Sequence, residues 1–332
     1  MTVSAALPGG LGSVDRQHLY GLVVDADFDL HQNRTPESDS WPADVVVTSG
    51  PPVEPRDEVP QGRVVLDFVG DGTRWYSAAE RPDGGYLLRF HGTCEFALSP
   101  GLGAVELAMV HGANPGVGGV LTTGAMLAFQ LYLREHTVLH GSAVQVADGA
   151  LAFIGSSGQG KSTMATLQCA DGAALITDDV LRVDTDTAGA PRVRLGATEL
   201  RLRKGADALA ARFAKDRLGE RVSADERRIL SLPDDAEDKL PLRAMVIPVP
   251  DKDGGELRIS ELPASEALFA ILNFGRLNGW ADREIVSRHF AQVAELVKTV
   301  PVFVAQVPWG PPFGPDLAAQ VRMRVLGQDG LR

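Results

Sequence analysis

GSSGQGKS, residues 155–162 of this 332-residue chain, matches the phosphate-binding pattern GxxxxGK[ST]. An apolar run, Ala150–Ile154, comes before it, and Lys161–Cys169 can form a helix. The pattern requires a strand before the loop and a helix after it, and both are predicted here. The sequence therefore predicts a strand, a Gly-rich loop that surrounds a phosphate, and a helix.

The residue types in this loop suit an anionic ligand. Glycines let successive backbone N–H groups turn towards phosphate oxygens, and the helix presents its N-terminal amides to the same group. Lys161 adds a mobile cation for the β- and γ-phosphates, and the Ser162 hydroxyl is suited to Mg²⁺. The alternative is a Gly-rich turn with an incidental lysine, which is disfavoured because the chain has only six lysines. The predicted nucleotide-binding residues are Gly155, Ser156, Ser157, Gly158, Gln159, Gly160, Lys161, Ser162 and Thr163.

Two adjacent carboxylates follow the next apolar run. Asp178 and Asp179 come directly after Ala174–Thr177, which we predict to be a strand adjoining the strand before the loop. A carboxylate at the C-terminal end of such a strand points into the ligand crevice of an open α/β sheet. We expect Asp178 to hold Mg²⁺ together with Ser162, and Asp179 to accept a proton from an incoming hydroxyl. The alternative interpretation is an acidic turn before Leu181.

Composition limits the classes of protein. Hydrophobic residues make up 44% of the chain and charged residues 23%, which predicts a folded globular protein. The net charge of -11 has the wrong sign for a surface that binds nucleic acid or an anionic membrane. The two cysteines, Cys94 and Cys169, form no metal-binding or disulfide pattern, which favours a reducing cytoplasm. Neither a signal peptide nor a membrane span is expected, because no stretch approaches about 20 apolar residues.

The pattern of elements changes along the chain. Residues 1–117 hold short β-branched and aromatic runs between turn residues, which predict an antiparallel β-rich N-terminal domain with a loop-rich segment near 32–63. A buried helix over 118–134 is expected to join it to a second domain, residues 118–332. Within that domain Thr137–Val146 is predicted to be a strand, with His140 on it. The predicted fold class is α/β, or α+β.

Residues 139–180, LHGSAVQVADGALAFIGSSGQGKSTMATLQCADGAALITDDV, resemble the core of the HPr kinase/phosphorylase family. The shared features are a His-Gly before a short hairpin, the Gly-rich loop opening a helix, and the Asp-Asp pair closing the next strand. The resemblance implies a P-loop kinase core related to phosphoenolpyruvate carboxykinase. It also implies that His140, Lys161, Ser162, Asp178 and Asp179 act in the site, with Asp179 as the base.

One departure from the family concerns Thr163, which stands where the bifunctional enzymes carry an acidic residue. Phosphorylase activity and HPr as substrate are therefore not carried over. The layout is similar to the HPr-kinase-like proteins of peptide and natural-product biosynthetic clusters, which implies a Ser or similar hydroxyl as acceptor. The expected partners are ATP, Mg²⁺ and a hydroxyl-bearing peptide, protein or metabolite, and self-association into a homo-oligomer stays open.

The competing hypothesis is a regulatory protein that senses ATP without transferring phosphate. The kinase is favoured because a sensor has no need of a carboxylate suited to general base catalysis.

Weaker candidates lie elsewhere in the chain. Glu199 is either a second metal ligand or a solvated strand residue, and Arg201, Arg203 and Lys204 either meet phosphates or an acidic substrate or form an exposed strand face. Arg243 is a candidate for transition-state charge. Residues 273–276 and 309–313 either shape pockets or pack in the core in the ordinary way. Acceptor recognition is expected in the N-terminal region and in 205–238, with a solvated helical face as the alternative for 205–238.

Overall fold

The structure, a computed structural model, describes residues 14–202, 209, 213, 219–222, 228–231, 236–308, 310 and 312–327. These residues form an α/β architecture with two large mixed sheets, as the sequence predicts for the fold class. The division of the chain near residue 118 stays a prediction.

The first sheet contains eight strands in the order β1-β2-β3-β8-β7-β6-β5-β4. Their bounds are β1 (Asp15–Leu19), β2 (Leu22–Ala26), β3 (Val45–Ser49), β4 (Arg63–Gly70), β5 (Thr73–Glu80), β6 (Tyr86–Phe90), β7 (Cys94–Leu98) and β8 (Ala104–Met109). The antiparallel prediction is wrong for β3, which runs parallel to both neighbours. Parallel neighbouring strands need a long connection, whereas a two-residue hairpin joins antiparallel strands only. The long connection that precedes β3 therefore makes its parallel pairing with β2 feasible.

The segment 32–63 has little regular structure apart from β3, in agreement with the loop prediction. It is nevertheless not a simple link. Gln32 and Arg34 have only 7% and 1% of their surface exposed. Part of this segment therefore belongs to the protein interior.

One long helix follows the first sheet. It consists of α1 (Gly116–Leu121), a π-helical turn (Thr122–Met126) and α2 (Leu127–Leu133). Within the described residues it is the one run long and apolar enough to cross a membrane by length and composition, and 72% of it is buried inside the protein. Met126, Leu127 and Phe129 pack with the apolar side chains of the first sheet. The contacts are those of a core helix.

The second sheet has the order β12-β10-β11-β18-β14-β13-β9, with β20 beside β18 and β19 beside β20. Its strands are β9 (Thr137–Leu139), β10 (Gly141–Val146), β11 (Gly149–Ile154), β12 (Ala174–Thr177), β13 (Leu181–Thr185), β14 (Pro191–Arg194), β18 (Lys239–Asp251), β19 (Arg258–Glu261) and β20 (Val302–Pro308). The single strand predicted over Thr137–Val146 is wrong, because the chain breaks at His140 and sends β9 and β10 to different parts of the sheet.

Four helices cover both faces of this sheet, and their bounds are α3 (Lys161–Ala170), α4 (Ala264–Leu272), α5 (Arg283–Thr299) and α6 (Leu317–Leu326). Alternate residues of β11 face opposite ways: Leu151 and Phe153 pack towards α3 and α6, whereas Ala152 and Ile154 pack towards α4 and α5. Burial on both faces explains why β11 is uniformly apolar. A separate small sheet holds β15 (Glu199–Leu202), β16 (Gly219–Val222) and β17 (Arg228–Ser231).

A chain that begins at residue 118 is expected to lose cooperative folding. It would expose Met126, Leu127 and Phe129, which are fully buried in the full chain. Burial of each such side chain stabilises a protein by about 1.5–3 kcal/mol, whereas whole domains are stable by only about 5–15 kcal/mol. Thermal unfolding followed by circular dichroism checks this, with the full chain as control. A sharp, cooperative transition in the truncated chain would contradict the prediction.

Candidate active site

The Gly-rich loop lies between β11 and α3, so a strand precedes it and a helix follows it. Gly158 and Gly160 have φ angles of 88° and 91°, in the left-handed region that disfavours residues with a β-carbon. Gly160 is also the residue that caps α3. The glycine pattern in the sequence thus has a direct backbone reason.

Hydrogen bonds within the Gly-rich loop hold the Lys161 side chain against the start of the loop. The Lys161 ammonium donates to the carbonyl oxygen of Ser156 at 2.9 Å, and the lysine is 6% exposed. The Gln159 side-chain oxygen accepts a hydrogen bond from the backbone N–H of Ser156. A cation and several backbone amides are therefore gathered at the start of a ten-residue helix, which favours an anion there.

Asp178 meets this loop from the end of β12. Its Oδ1 atom accepts hydrogen bonds from the hydroxyl groups of Ser162 at 2.8 Å and Ser142 at 2.5 Å. Burial raises the pKa of this carboxyl, which is 3% exposed, and the bond from Ser142 opposes the rise. The predicted adjacency of the strands is wrong, because β10 lies between β12 and β11. The carboxylate still reaches the loop, since β12 and β11 both run antiparallel to β10 and end at the same edge.

Asp179 points into a different environment from its neighbour. Its backbone has a φ of 72°, an unusual conformation for a residue other than glycine. Arg276 donates to its Oδ2 atom from Nε at 3.0 Å and from Nη2 at 2.6 Å, and His140 Nε2 lies 3.3 Å from its Oδ1 atom. Burial opposes ionisation of Asp179, but the charge of Arg276 and the hydrogen bond from His140 outweigh it and hold its pKa well below the ordinary value.

His140 lies at the break between β9 and β10. Its backbone N–H donates to the carbonyl of Phe274 at 2.7 Å, and its own carbonyl accepts from the N–H of Gly155 at 3.4 Å. Burial lowers the pKa of the imidazole, and the hydrogen bond to Asp179 offsets part of this effect. The histidine thus links the carboxylate, the Gly-rich loop and the segment that carries Arg276.

The π-helical turn Thr122–Met126 passes directly beside this ion pair. A β-carbon on Gly124 would lie 3.2 Å from Oδ2 of Asp179 and 3.5 Å from Nη2 of Arg276. A wide helical turn and a residue without a side chain therefore make room for the pair. Such turns are frequent at functional sites.

Sequence reasoning missed the importance of Arg276. The segment 273–276 was expected to shape a pocket or to pack in the core, yet its arginine provides two hydrogen bonds to Asp179. The available signal was a single arginine directly after a Gly in a helix-ending segment, which is weak without knowledge of the fold.

Three weaker predictions can be judged. Glu199 is 4% exposed, so the solvated alternative is wrong, and it lines a cavity of about 30 Å³ with Asp178 and Asp179. Arg243 bonds Asp148 beside the start of β11, whereas the Gly-rich loop follows the other end of this strand. The prediction that Arg243 contacts transition-state charge is therefore wrong. Phe313 is buried in the core, as ordinary packing predicts. Trp309, Arg203, Lys204 and most of 205–238 lie outside the described residues, as does the Arg201 side chain.

The oxygen donors at this edge suit Mg²⁺. In the described part of the chain, no group of three or more His, Cys, Asp or Glu side chains is placed to hold a metal ion. Ser162 and Asp178 nevertheless bring two hard oxygen donors together. Mg²⁺ keeps several waters and usually takes one or two carboxylates plus the phosphates of a substrate, so this donor set fits it.

Comparison with solved structures gives weak similarity only. No protein-family model matches the chain, and no curated protein matches it. Part of the structure is similar to the HPr(Ser) kinase/phosphatase from Coxiella burnetii, with a TM-score of 0.29 and 11% identity over 57% of this chain and 96% of that chain. Similarity at this level establishes neither a shared fold nor a shared activity.

Replacement of Arg276 by Gln is expected to raise the pKa of Asp179 by about one pH unit or more, because the opposite charge beside the carboxylate is removed. In the wild type the depressed pKa stabilises the fold above a pH of about 4, and this contribution is lost as the pH falls. Carbon-13 NMR titration of the aspartate carboxyls measures the change. Arg243→Gln, which removes the arginine from an exposed pair with Asp148, is the control. Identical titration of Asp179 in wild type and Arg276→Gln would refute the assignment.

Proposed function

We propose that this protein is a Mg²⁺- and ATP-dependent kinase that transfers the γ-phosphoryl group to a hydroxyl of a peptide, protein or small-molecule acceptor. A serine or similar hydroxyl is the acceptor we favour, and the cytoplasm is the location. One observation supports the proposal above the others: Asp178 is hydrogen-bonded to Ser162 of the Gly-rich loop, while the adjacent Asp179 is paired with Arg276 beside it.

The loop would bind the phosphates of ATP. The backbone amides of residues 155–160 and the first turn of α3 offer N–H donors, and Lys161 supplies a positive charge. These groups would let a protein with a net charge of -11 bind an anion, because they place a positive charge and N–H donors locally at the loop. Lys161 would leave the carbonyl of Ser156 to meet the β- and γ-phosphates.

Ser162 and Asp178 would hold Mg²⁺. When bound there, Mg²⁺ neutralises charge on the phosphate oxygens. The Ser162 hydroxyl, which now donates to Asp178, would turn its lone pair towards the metal. Burial of Asp178 favours such a partner, since an isolated buried carboxylate is costly.

Asp179 would accept the proton of the acceptor hydroxyl. The hydroxyl oxygen bonds to the γ-phosphorus, the bond from that phosphorus to the ADP oxygen breaks, and the hydroxyl proton passes to the carboxylate. The positive charge of Arg276 favours the ionised form of Asp179, which is the form that can accept a proton. His140 orients the carboxylate, and Arg276 places a positive charge beside the position of transfer.

Replacement of Lys161 by Ala is expected to weaken the binding of Mg-ATP by about tenfold or more, the size of a lost charge-assisted hydrogen bond. Isothermal titration calorimetry measures the dissociation constant. Lys298→Ala is the control, because this lysine is exposed and contacts only Glu295 among the contacts found for it. No binding to the wild type, or equal binding to Lys161→Ala, would contradict the proposed function.

Asp179→Asn is expected to lower phosphoryl transfer by about 10²–10⁴-fold while the affinity for ATP is retained. Radiolabelled ATP with candidate peptides, metabolites and HPr, followed by mass spectrometry, measures transfer, and release of phosphate to water gives a rate that needs no acceptor. Asp148→Asn, at an exposed pair with Arg243, is the control. Transfer at the wild-type rate would reject Asp179 as the base. ATP binding with no transfer in the wild type would instead favour the sensor hypothesis.

A further inference from the structure

A buried arginine from the loop between β2 and β3 bonds the strand that precedes the two aspartates. Arg34 is 1% exposed, and its guanidinium donates to three main-chain carbonyls. Nε bonds the oxygen of Gly196 at 3.1 Å, and Nη2 bonds those of Leu175 and Ile176 at 2.8 and 3.0 Å. Arg34 thus spans the end of β12 and the segment 195–198.

We propose that Arg34 is a positioning residue for Asp178, so that the N-terminal region is an obligatory part of the active site. The inference rests on the proposed function, because it assigns Arg34 an effect on the residue that would hold the metal. Arg34 itself does not touch Asp178 in the contacts found. It acts through Ile176, two residues before the aspartate.

Backbone hydrogen bonds carry the effect from Arg34 to the carboxylate. The N–H of Gly196 donates to the carbonyl oxygen of Ile176 at 2.9 Å, and the N–H of Asp178 donates to the carbonyl oxygen of Ala197 at 3.1 Å. Arg34 bonds the carbonyls of both segments that these contacts join. The rigid, planar guanidinium suits this arrangement, because its donors have fixed directions. Its removal would leave buried carbonyls without these donors and loosen the strand end.

Other residues of the N-terminal region reinforce the same place. The Gln32 side-chain oxygen accepts from the N–H of Thr198 at 2.8 Å. Tyr20 bonds Leu195 through its backbone N–H at 2.6 Å, and its hydroxyl donates to the carbonyl of Thr123 at 3.0 Å. These hydrogen bonds reach the segment 195–198 and the π-helical turn, while the Gly-rich loop belongs to β11 and α3. Loss of Arg34 should therefore leave the affinity for metal-free ATP unchanged but reduce the affinity that Mg²⁺ adds.

Arg34→Met removes the hydrogen bonds to Gly196, Leu175 and Ile176 and keeps an apolar side chain of similar length. Arg89→Met is the matched control, because Arg89 is also a buried arginine, 5% exposed, but bonds Glu95 within the first sheet. The first readout is amide hydrogen exchange of residues 174–181 and 194–199 without ligand. We expect faster exchange in Arg34→Met and wild-type exchange in Arg89→Met.

The second readout is the dissociation constant of ATP with and without Mg²⁺. We expect Arg34→Met to bind metal-free ATP like the wild type, but to lose about tenfold of the affinity gained from Mg²⁺, as for other residues that orient a metal ligand. Arg89→Met should keep that gain even if it lowers the melting temperature. A purely structural role of Arg34 would lower stability without this selective change.

Unchanged exchange at 174–181 together with an unchanged Mg²⁺ effect in Arg34→Met would overturn the inference. If Arg34→Met does not fold, Arg34→Lys decides, because an ammonium cannot match both segments, and a full Mg²⁺ effect in that variant would equally overturn it. If the wild type gains no affinity from Mg²⁺, the proposed function fails at the metal, and the exchange comparison still decides whether Arg34 positions this strand end.

Discussion

Two neighbouring carboxylates at one strand end require opposite surroundings, and much of the protein is arranged around that requirement. Asp178 is buried against the hydroxyls of Ser142 and Ser162, whereas Asp179 turns away through a left-handed backbone conformation to meet Arg276 and His140. Two like charges so close would otherwise raise each other's pKa. The separate partners give Asp178 two hydroxyl neighbours and Asp179 a positive charge, and the proposed roles of metal ligand and base depend on this difference.

The surroundings of the two aspartates come from distant parts of the chain. The π-helical turn leaves space for the ion pair at Gly124, and Arg34 fixes the strand end from behind. The N-terminal sheet, expected from the sequence to be a separate β-rich domain, shares a core with the long helix, and Arg34 from the loop after β2 bonds β12. In this account the two sheets work as one unit.

Local patterns explain which features the sequence could predict. The Gly-rich loop, its strand and its helix are contiguous, so spacing and periodicity were sufficient. Arg276 and Arg34 lie 97 and 145 residues from Asp179, and only the fold brings them near it. The break at His140 was hidden as well, because β9 and β10 both have strand-like composition and differ only in their partners.

A crystal structure of the chain with Mg²⁺ and a non-hydrolysable ATP analogue tests the central claim most directly. The account predicts the β- and γ-phosphates at the amides of residues 155–160, Mg²⁺ in contact with Ser162 and Asp178, and the γ-phosphate on the side that faces Asp179. A nucleotide bound elsewhere, or a γ-phosphate directed away from Asp179 with the Arg276 ion pair between them, would contradict it.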